Sequence, residues 1–166
     1  MLVANSLTSS NLDYCNSLYH SLPNSSLLVI LDKLRYLQLV QNSLARAILG
    51  LKFHNHISPA LHSLHWLPVH KRIEFKICLL TYKSLHNSAP AYLTDLLSPY
   101  KPSRTLRSST ASLLSVPYVK SCSGSRSFSY SAPNLWNSLP PHVRLSPTLL
   151  AFRACLKTHL YPRYPP

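Results

Sequence analysis

The stretch LHWLPVHKRIEFKICLLTYKSL, residues 64–85, decides the fold of this chain. Apolar side chains cover most of the circumference of a helix that the spacing predicts over residues 70–87, as is typical of a helix at the centre of a core. Pro68 breaks the chain just before this helix, so residues 64–67 end one element and a new helix begins near Val69. The remaining stripe is basic, and it carries Arg72, Lys76 and Lys83.

Two histidines in this stretch, His65 and His70, stand beside the cations Lys71 and Arg72. Such a group is compatible with a metal site, an acid–base site, a phosphate contact or the ordinary start of a buried helix. A structural zinc site usually takes four nitrogen or sulfur ligands, often with a close cysteine pair, and the nearest cysteine here is Cys78. We therefore predict no metal and no cofactor, and we interpret the histidines as half-exposed surface residues.

Helical periodicity continues on both sides of the central stretch. It predicts a long helix over residues 27–49, capped near Ser25 or Ser26 and closed by Gly50. It also predicts a last helix over residues 147–160, with Ser146 as its N-cap. Shorter helices are predicted at residues 11–22, 59–64 and 89–98.

The segment after residue 112 has a different character. Residues 113–121 and 126–133 alternate in part and predict a small β-hairpin, followed by a proline-stiffened turn around Trp136. The predicted fold class is therefore mostly α with a small hairpin (α+β), built on two long helices and a C-terminal helix. The side chains predicted to form its core are Trp66, Ile73, Ile77, Leu80, Trp136 and Phe152.

A length of 166 residues corresponds to about one domain. Within it we expect a helical core at residues 1–97 and a basic, Ser- and Pro-rich loop at residues 98–112. Residues 113–160 are expected to pack back on the core, and residues 161–166 to form a disordered tail.

The charge is strongly positive, because 17 Lys and Arg face four Asp and Glu, a formal charge of +13. Such a surface attracts polyanions, so nucleic acid is the expected partner. The alternative is a piece of a larger protein whose acidic parts lie elsewhere, with the basic helix faces simply solvated. The candidate contacts are Arg35, Arg46, Lys71, Arg72, Lys76, Lys83, Lys101, Arg104 and Arg107.

The sequence offers little for catalysis. A Mg²⁺-dependent polymerase or nuclease needs clustered carboxylates, and the four acids of this chain are isolated in sequence: Asp13, Asp32, Glu74 and Asp95. Two glycines cannot supply a phosphate-binding loop, and no GxSxG motif is present. We therefore expect no catalytic residue and no enzymatic activity.

The expected location is inside the cell, in the nucleus or cytoplasm. The N-terminus lacks a basic region followed by an apolar core, and no apolar run approaches the about 20 residues of a membrane span. The cysteines form no CxxC pair and are expected to be reduced thiols: Cys15, Cys78, Cys122 and Cys155.

Six blocks that span nearly the whole chain are distinctive. They are LDYCNSLYHSLP (12–23), LQLVQNSLARAILG (37–50), LHSLHWLPVHKRIEFKICLLTYKSLHNSAPAYLTDLL (61–97), SRTLRSS (103–109), APNLWNSLPPHVR (132–144) and FRACLKTHLY (152–161). Together, and in this order, they resemble the region that follows the polymerase core in LINE-type, jockey-like non-LTR retrotransposon reverse transcriptases.

The resemblance implies a parent RNA-directed DNA polymerase whose catalytic aspartates are absent here. Asp13 precedes Tyr14 with no second acid beside it, so LDYC is not the YxDD-type motif of the family. The implied role is a non-catalytic fragment that contacts RNA or DNA. The alternatives are a structural domain that docks on the polymerase and a truncated, non-functional copy of the element.

Trp66 is the residue of the opening stretch on which stability should depend most. Replacing it with alanine (Trp66→Ala) is expected to lower the free energy of unfolding by about 3–5 kcal/mol, because a buried aromatic leaves a cavity. Thermal or urea unfolding measures this change, and a mild loss would contradict the burial of Trp66.

Overall fold

The computed structural model describes residue 10 and residues 24–101, 112–121 and 124–161. The predicted helix at residues 11–22 and the candidate contacts Arg104 and Arg107 lie outside these residues. The described part is mostly helical, as predicted. Its helices are α1 (Asn24–Leu49), α2 (Ile57–Ser63), α3 (Val69–Leu85), α4 (Ala91–Thr94), a short 3₁₀ helix (Gly124–Arg126), α5 (Phe128–Ser138), α6 (Pro141–Arg144) and α7 (Leu149–Leu160).

Helix α1 ends as its sequence predicts, although it begins earlier. It starts at Asn24, ahead of the predicted caps Ser25 and Ser26. At its end Gly50 takes a φ of +63°, and the amide of Leu51 donates to the carbonyl of Arg46 at 3.0 Å. This bond closes a Schellman motif, in which glycine avoids the steric cost of the left-handed conformation.

The start of α3 is fixed by two glutamines of α1. Pro68 precedes α3 and has no side-chain cap to offer, so the amide of Val69 donates to Oε1 of Gln38 at 2.9 Å. Nε2 of Gln41 donates to the carbonyl of Leu67 at 2.9 Å, and Gln41 is fully buried. The glutamine that interrupts the apolar stripe of α1 therefore satisfies the backbone at the turn between α2 and α3.

An aromatic cluster holds α3, α5 and α7 together. The rings of Tyr82 and Phe152 stack with centroids 4.3 Å apart, and Trp136 lies 5.8 Å from Phe152. The Tyr82 hydroxyl donates to the carbonyl of Ser146 at 3.0 Å. The last helix therefore packs on the central one through buried aromatic rings.

Five of the six predicted core side chains are buried: Trp66, Ile73, Ile77, Trp136 and Phe152. The prediction for Leu80 is wrong, since that side chain is only partly buried. The buried arc of α3 runs through Ile77 and Thr81, and Leu80 lies at its edge. Thr81 can be buried because its hydroxyl donates to the carbonyl of Ile77 at 2.8 Å.

The predicted hairpin is not formed. Residues 128–133 belong to helix α5, which also contains Trp136 in place of the predicted turn. The alternation in FSYS is coincidental, because Phe128, Ala132 and Trp136 recur every four residues and all face the core. Among the described residues the only β-pairing is the isolated bridge between Pro99 and Leu114.

The side chain of Asn137 replaces the missing strand as partner of the extended segment. Its Oδ1 accepts from the amide of Leu114 at 2.9 Å, and its Nδ2 donates to the carbonyl of Leu114 at 2.8 Å. One side-chain amide thus satisfies both backbone groups of a residue that a strand would otherwise pair.

The C-terminal helix starts two residues later than predicted. Its N-cap is Thr148, whose Oγ1 accepts from the amide of Ala151 at 3.2 Å, while Ser146 is buried and donates to the carbonyl of Val143 at 2.7 Å. Tyr161, placed in the disordered tail, is instead partly buried and donates to the carbonyl of Leu61 at 3.4 Å. Tyr161 extends the attachment of the C-terminal helix to α2.

None of the helices in the described part of the chain has the length and apolarity that crossing a membrane requires.

The glutamine contact at the start of α3 can be tested directly. Gln38→Leu removes the acceptor for the buried Val69 amide and is expected to lower the free energy of unfolding by about 1–3 kcal/mol. Urea denaturation measures the change. Arg35→Leu, at an exposed position of the same helix, is the control and should alter the free energy by no more than about 0.5 kcal/mol. Equal effects of the two substitutions would contradict the role of Gln38.

Candidate nucleic-acid interface

A basic groove lies between α3 and α7. Its cations are Arg72 and Lys76 from α3 and Arg153 and Lys157 from α7, around a cavity of about 450 Å³. The remaining lining residues are His65, Leu67, Phe75, Leu79 and Ala154. We call this set the basic groove, and no carboxylate is among the described residues that line it.

Helical spacing explains why both helices present cations to the same space. Arg72 and Lys76 are four residues apart on α3, as are Arg153 and Lys157 on α7, so each pair extends along one face of its helix. The stacking of Tyr82 on Phe152 brings these two faces alongside each other. The groove is therefore a product of tertiary packing between two separate basic stripes.

The like charges of the groove lie close enough to repel one another. Partial burial lowers the pKa of Lys157, and the nearby charges of Arg72 and Arg153 lower it further. The pKa of Tyr161 is raised by burial, and the charge of Arg72 partly opposes that shift. The Arg72 guanidinium thus acts on the end of α7 as well as on α3. An anion placed among these groups would relieve the repulsion.

The nearby carboxylate of Glu74 forms an ion pair with Lys71, which does not line the groove. Glu74 accepts from Nζ of Lys71 at 2.9 and 3.0 Å, an ion pair between neighbouring turns of α3. Lys71, which does not line the groove, therefore neutralises the charge of Glu74.

His65 forms the end of the groove in a conformation unusual for its residue type. Its φ is +54°, and it occupies the position after α2 that glycine normally takes. The amide of Trp66 donates to the carbonyl of Leu61 at 2.8 Å, and that of His65 to the carbonyl of His62 at 2.9 Å, which completes a Schellman motif. A left-handed non-glycine residue costs of order 1 kcal/mol or more, so the imidazole is held here against a backbone preference.

The structure describes seven of the nine predicted contacts, and five of these seven do not line the groove. Lys71 pairs with Glu74, and Lys83 lies on the same stripe as Arg72 but beyond the cavity. Arg46 lies over the ring of Phe53 at 5.4 Å and donates to the carbonyl of Asn55 at 3.5 Å. Arg35 and Lys101 are exposed elsewhere, and Arg104 and Arg107 lie outside the described residues.

Arg153 and Lys157 are not among the predicted contacts, although a signal for them exists. Their spacing of four places both on one side of α7, distinct from the side that buries Phe152 and Leu156, so the sequence alone indicates that they face outward. Nothing in the pattern indicates that this outward side turns toward α3. The sequence therefore shows the basic stripe on α7, but it does not show that α3 packs beside that stripe.

The described residues contain no group of three His, Cys, Asp or Glu side chains that could hold a metal ion. Cys78 is a buried free thiol whose pKa is raised to about 12, first by burial and then by the charge of Glu74. Partial burial and the charge of Lys71 lower the pKa of His70, against the opposing effect of Glu74.

Comparison of the chain with protein-family models, with curated proteins and with solved structures finds no match in any of the three.

The repulsion within the groove predicts how Lys157 titrates. Its pKa should lie below the ordinary lysine value, and Arg72→Gln should raise it because a like charge is removed. NMR titration of ¹³C-methylated lysine side chains measures both values. Lys83→Gln removes a cation of α3 that does not line the groove, and this control should leave the Lys157 titration unchanged. An ordinary pKa for Lys157 in the unsubstituted protein would contradict the electrostatic description.

Proposed function

We propose that this chain is a non-catalytic, helical nucleic-acid-binding domain from the region that follows the polymerase in a LINE-type, jockey-like retrotransposon protein. In this proposal the basic groove contacts the phosphate backbone of RNA or DNA. The observation that carries it is the convergence of four cations from two helices around one cavity. The sequence blocks that resemble the retrotransposon family support the assignment of the parent protein.

The chemistry of the groove suits phosphate. Arginine binds phosphate oxygens through two parallel hydrogen bonds, and lysine adds a mobile point charge. Arg72 and Arg153 supply one guanidinium from each helix, with Lys76 and Lys157 beside them. Burial lowers the pKa of Lys157, and repulsion by Arg72 and Arg153 lowers it further. A bound phosphate would relieve that repulsion, which favours binding.

The groove also has an apolar floor, which favours single strands over duplex. Phe75 and Leu79 are half-buried residues of α3 that line the cavity between the cations. Bases of a single strand stack on aromatic side chains while cations follow the backbone. In a duplex the bases already stack on one another, so their faces are not available to an aromatic side chain. We therefore place single-stranded RNA or DNA ahead of duplex DNA as the ligand.

A second function, docking on the polymerase or on another protein, is favoured by one observation on α1. Tyr36, Leu39 and Val40 form an exposed apolar cluster, with 67%, 54% and 38% of their surfaces accessible. Exposed apolar clusters mark protein contacts more often than nucleic-acid contacts. Self-association that Leu39→Ser abolishes, with oligonucleotide binding unchanged, would support this function.

The nucleic-acid proposal is tested by fluorescence anisotropy with a labelled single-stranded RNA over a range of salt concentrations. Arg153→Gln together with Lys157→Gln removes two groove cations. This double substitution should weaken binding and reduce the slope of log K against log salt by about 1.4, at about 0.7 per lost phosphate contact. A labelled DNA duplex in parallel tests the preference for single strands.

A matched control separates the groove from net charge. Lys52 and Lys120 are exposed cations outside the groove, so Lys52→Gln with Lys120→Gln changes the net charge by the same amount. This control should leave the salt slope close to that of the original chain. Equal losses in both double variants would indicate diffuse attraction, and absence of binding at low salt would overturn the proposal.

A further inference from the structure

A second cavity, of about 490 Å³, lies where the end of α3, the extended segment near Leu114 and the link between α6 and α7 meet. Most of its wall is apolar and comes from Leu85, Leu113, Leu114, Trp136 and Leu145. Small-molecule sites are typically clefts of about 300–1,000 Å³ with apolar walls and a few convergent polar groups. This cavity has that size and composition, and its principal polar group is Arg144.

Arg144 is buried, and two of its three guanidinium nitrogens have no hydrogen-bond partner among the described residues. Only 7% of the residue is accessible, and no described group bonds to its Nε or Nη1 atoms, both of which are buried. Burial lowers the pKa of this guanidinium. A charged group left unpaired in a protein interior is costly, so such a group in a native fold requires an explanation.

The hydrogen bonds of the neighbouring polar groups go to other partners, and none of them reaches Nε or Nη1 of Arg144. The carbonyl of Ser146 accepts from the Tyr82 hydroxyl at 3.0 Å, and the Ser146 hydroxyl donates to the carbonyl of Val143 at 2.7 Å. The carbonyl of Ser112 accepts from Nε1 of Trp136 at 2.8 Å. No described carboxylate is a partner for Arg144 either. Glu74 pairs with Lys71, and the exposed Asp95 makes no ion pair with Arg144.

The chemistry of the cavity selects one kind of anion. A guanidinium presents a planar fork that matches a carboxylate in a bidentate pair. Arg144 is the one permanently charged residue of the described lining, so it balances a single negative charge and is poorly matched to a phosphate dianion. The apolar wall around it would desolvate the rest of the ligand, which favours an apolar body.

We propose that this cavity is a second binding site, separate from the basic groove, for a small carboxylic acid with an apolar body. The carboxylate pairs with the Arg144 guanidinium, and the apolar body packs against Trp136, Leu113 and Leu145. The site does not depend on the nucleic-acid proposal, because it shares no lining residue with the groove.

Isothermal titration calorimetry of the full chain with 4-phenylbutyrate tests the site, with 4-phenylbutanamide as the neutral probe of the same shape. The carboxylate should bind saturably and the amide at least tenfold more weakly. Arg144→Met should weaken binding of the carboxylate by at least tenfold, because the charged pair is lost. Arg153→Gln removes a groove cation instead and should leave the affinity unchanged.

A second variant keeps the test decisive if Arg144→Met fails to fold. Leu145 lines the cavity and is 58% accessible, so Leu145→Trp narrows the cavity from its surface and should also abolish binding with Arg144 intact. Removal of an unpaired buried charge should leave the melting temperature of Arg144→Met equal or higher. The proposal would be overturned if 4-phenylbutyrate and 4-phenylbutanamide bound with equal affinity, or if inorganic phosphate competed as well as 4-phenylbutyrate for the site. It would also be overturned if the original chain did not bind 4-phenylbutyrate and Arg144→Met greatly lowered the stability.

Discussion

The stacking of Tyr82 on Phe152 is the contact on which both proposed sites depend. It holds the last helix against the central one, and the basic groove exists only because these two helices lie side by side. The other face of the Tyr82 ring stacks on His86 with centroids 4.0 Å apart, and its hydroxyl fixes the carbonyl of Ser146. His86 and Ser146 line the second cavity. One aromatic side chain thus supports a surface groove and a recessed cavity, and a disturbance of its packing would reach both.

The core of this fold follows from local sequence patterns because those patterns are themselves caused by packing. The apolar circumference of residues 70–87 predicted the central helix, and Gly50 predicted the end of α1, since each reflects a constraint that acts within a few residues. The prediction of a hairpin was wrong because a local pattern of this length cannot report contacts made farther along the chain. Alternation over FSYS is too short to distinguish the period of two of a strand from the period of 3.6 of a helix. The contacts of Trp136 with the core favour the helix.

The candidate sites were less predictable, because they depend on distances between segments far apart in sequence. The stripe of Arg72 and Lys76 was visible, but its meeting with Lys157 depends on the packing of α7, which no local pattern encodes. Arg144 gave no signal at all. Its position in PPHVRLSP resembles that of an exposed cation at a helix end, and only the structure shows that it is buried with two guanidinium nitrogens unbonded. Burial of a charge is a property of the whole fold.

The Leu67 carbonyl has a consequence for the entropy of binding. It accepts from Nε2 of Gln41 at 2.9 Å and from Nε of Arg72 at 3.3 Å, so one backbone oxygen connects the buried glutamine to a groove cation. A free arginine loses rotamer freedom when it grips a ligand, at a cost of about 0.5–1.5 kcal/mol. Arg72 has already given up part of that freedom on folding. The hydrogen-bonded turn that sets the start of α3 therefore also preorganises the Arg72 side chain in the groove.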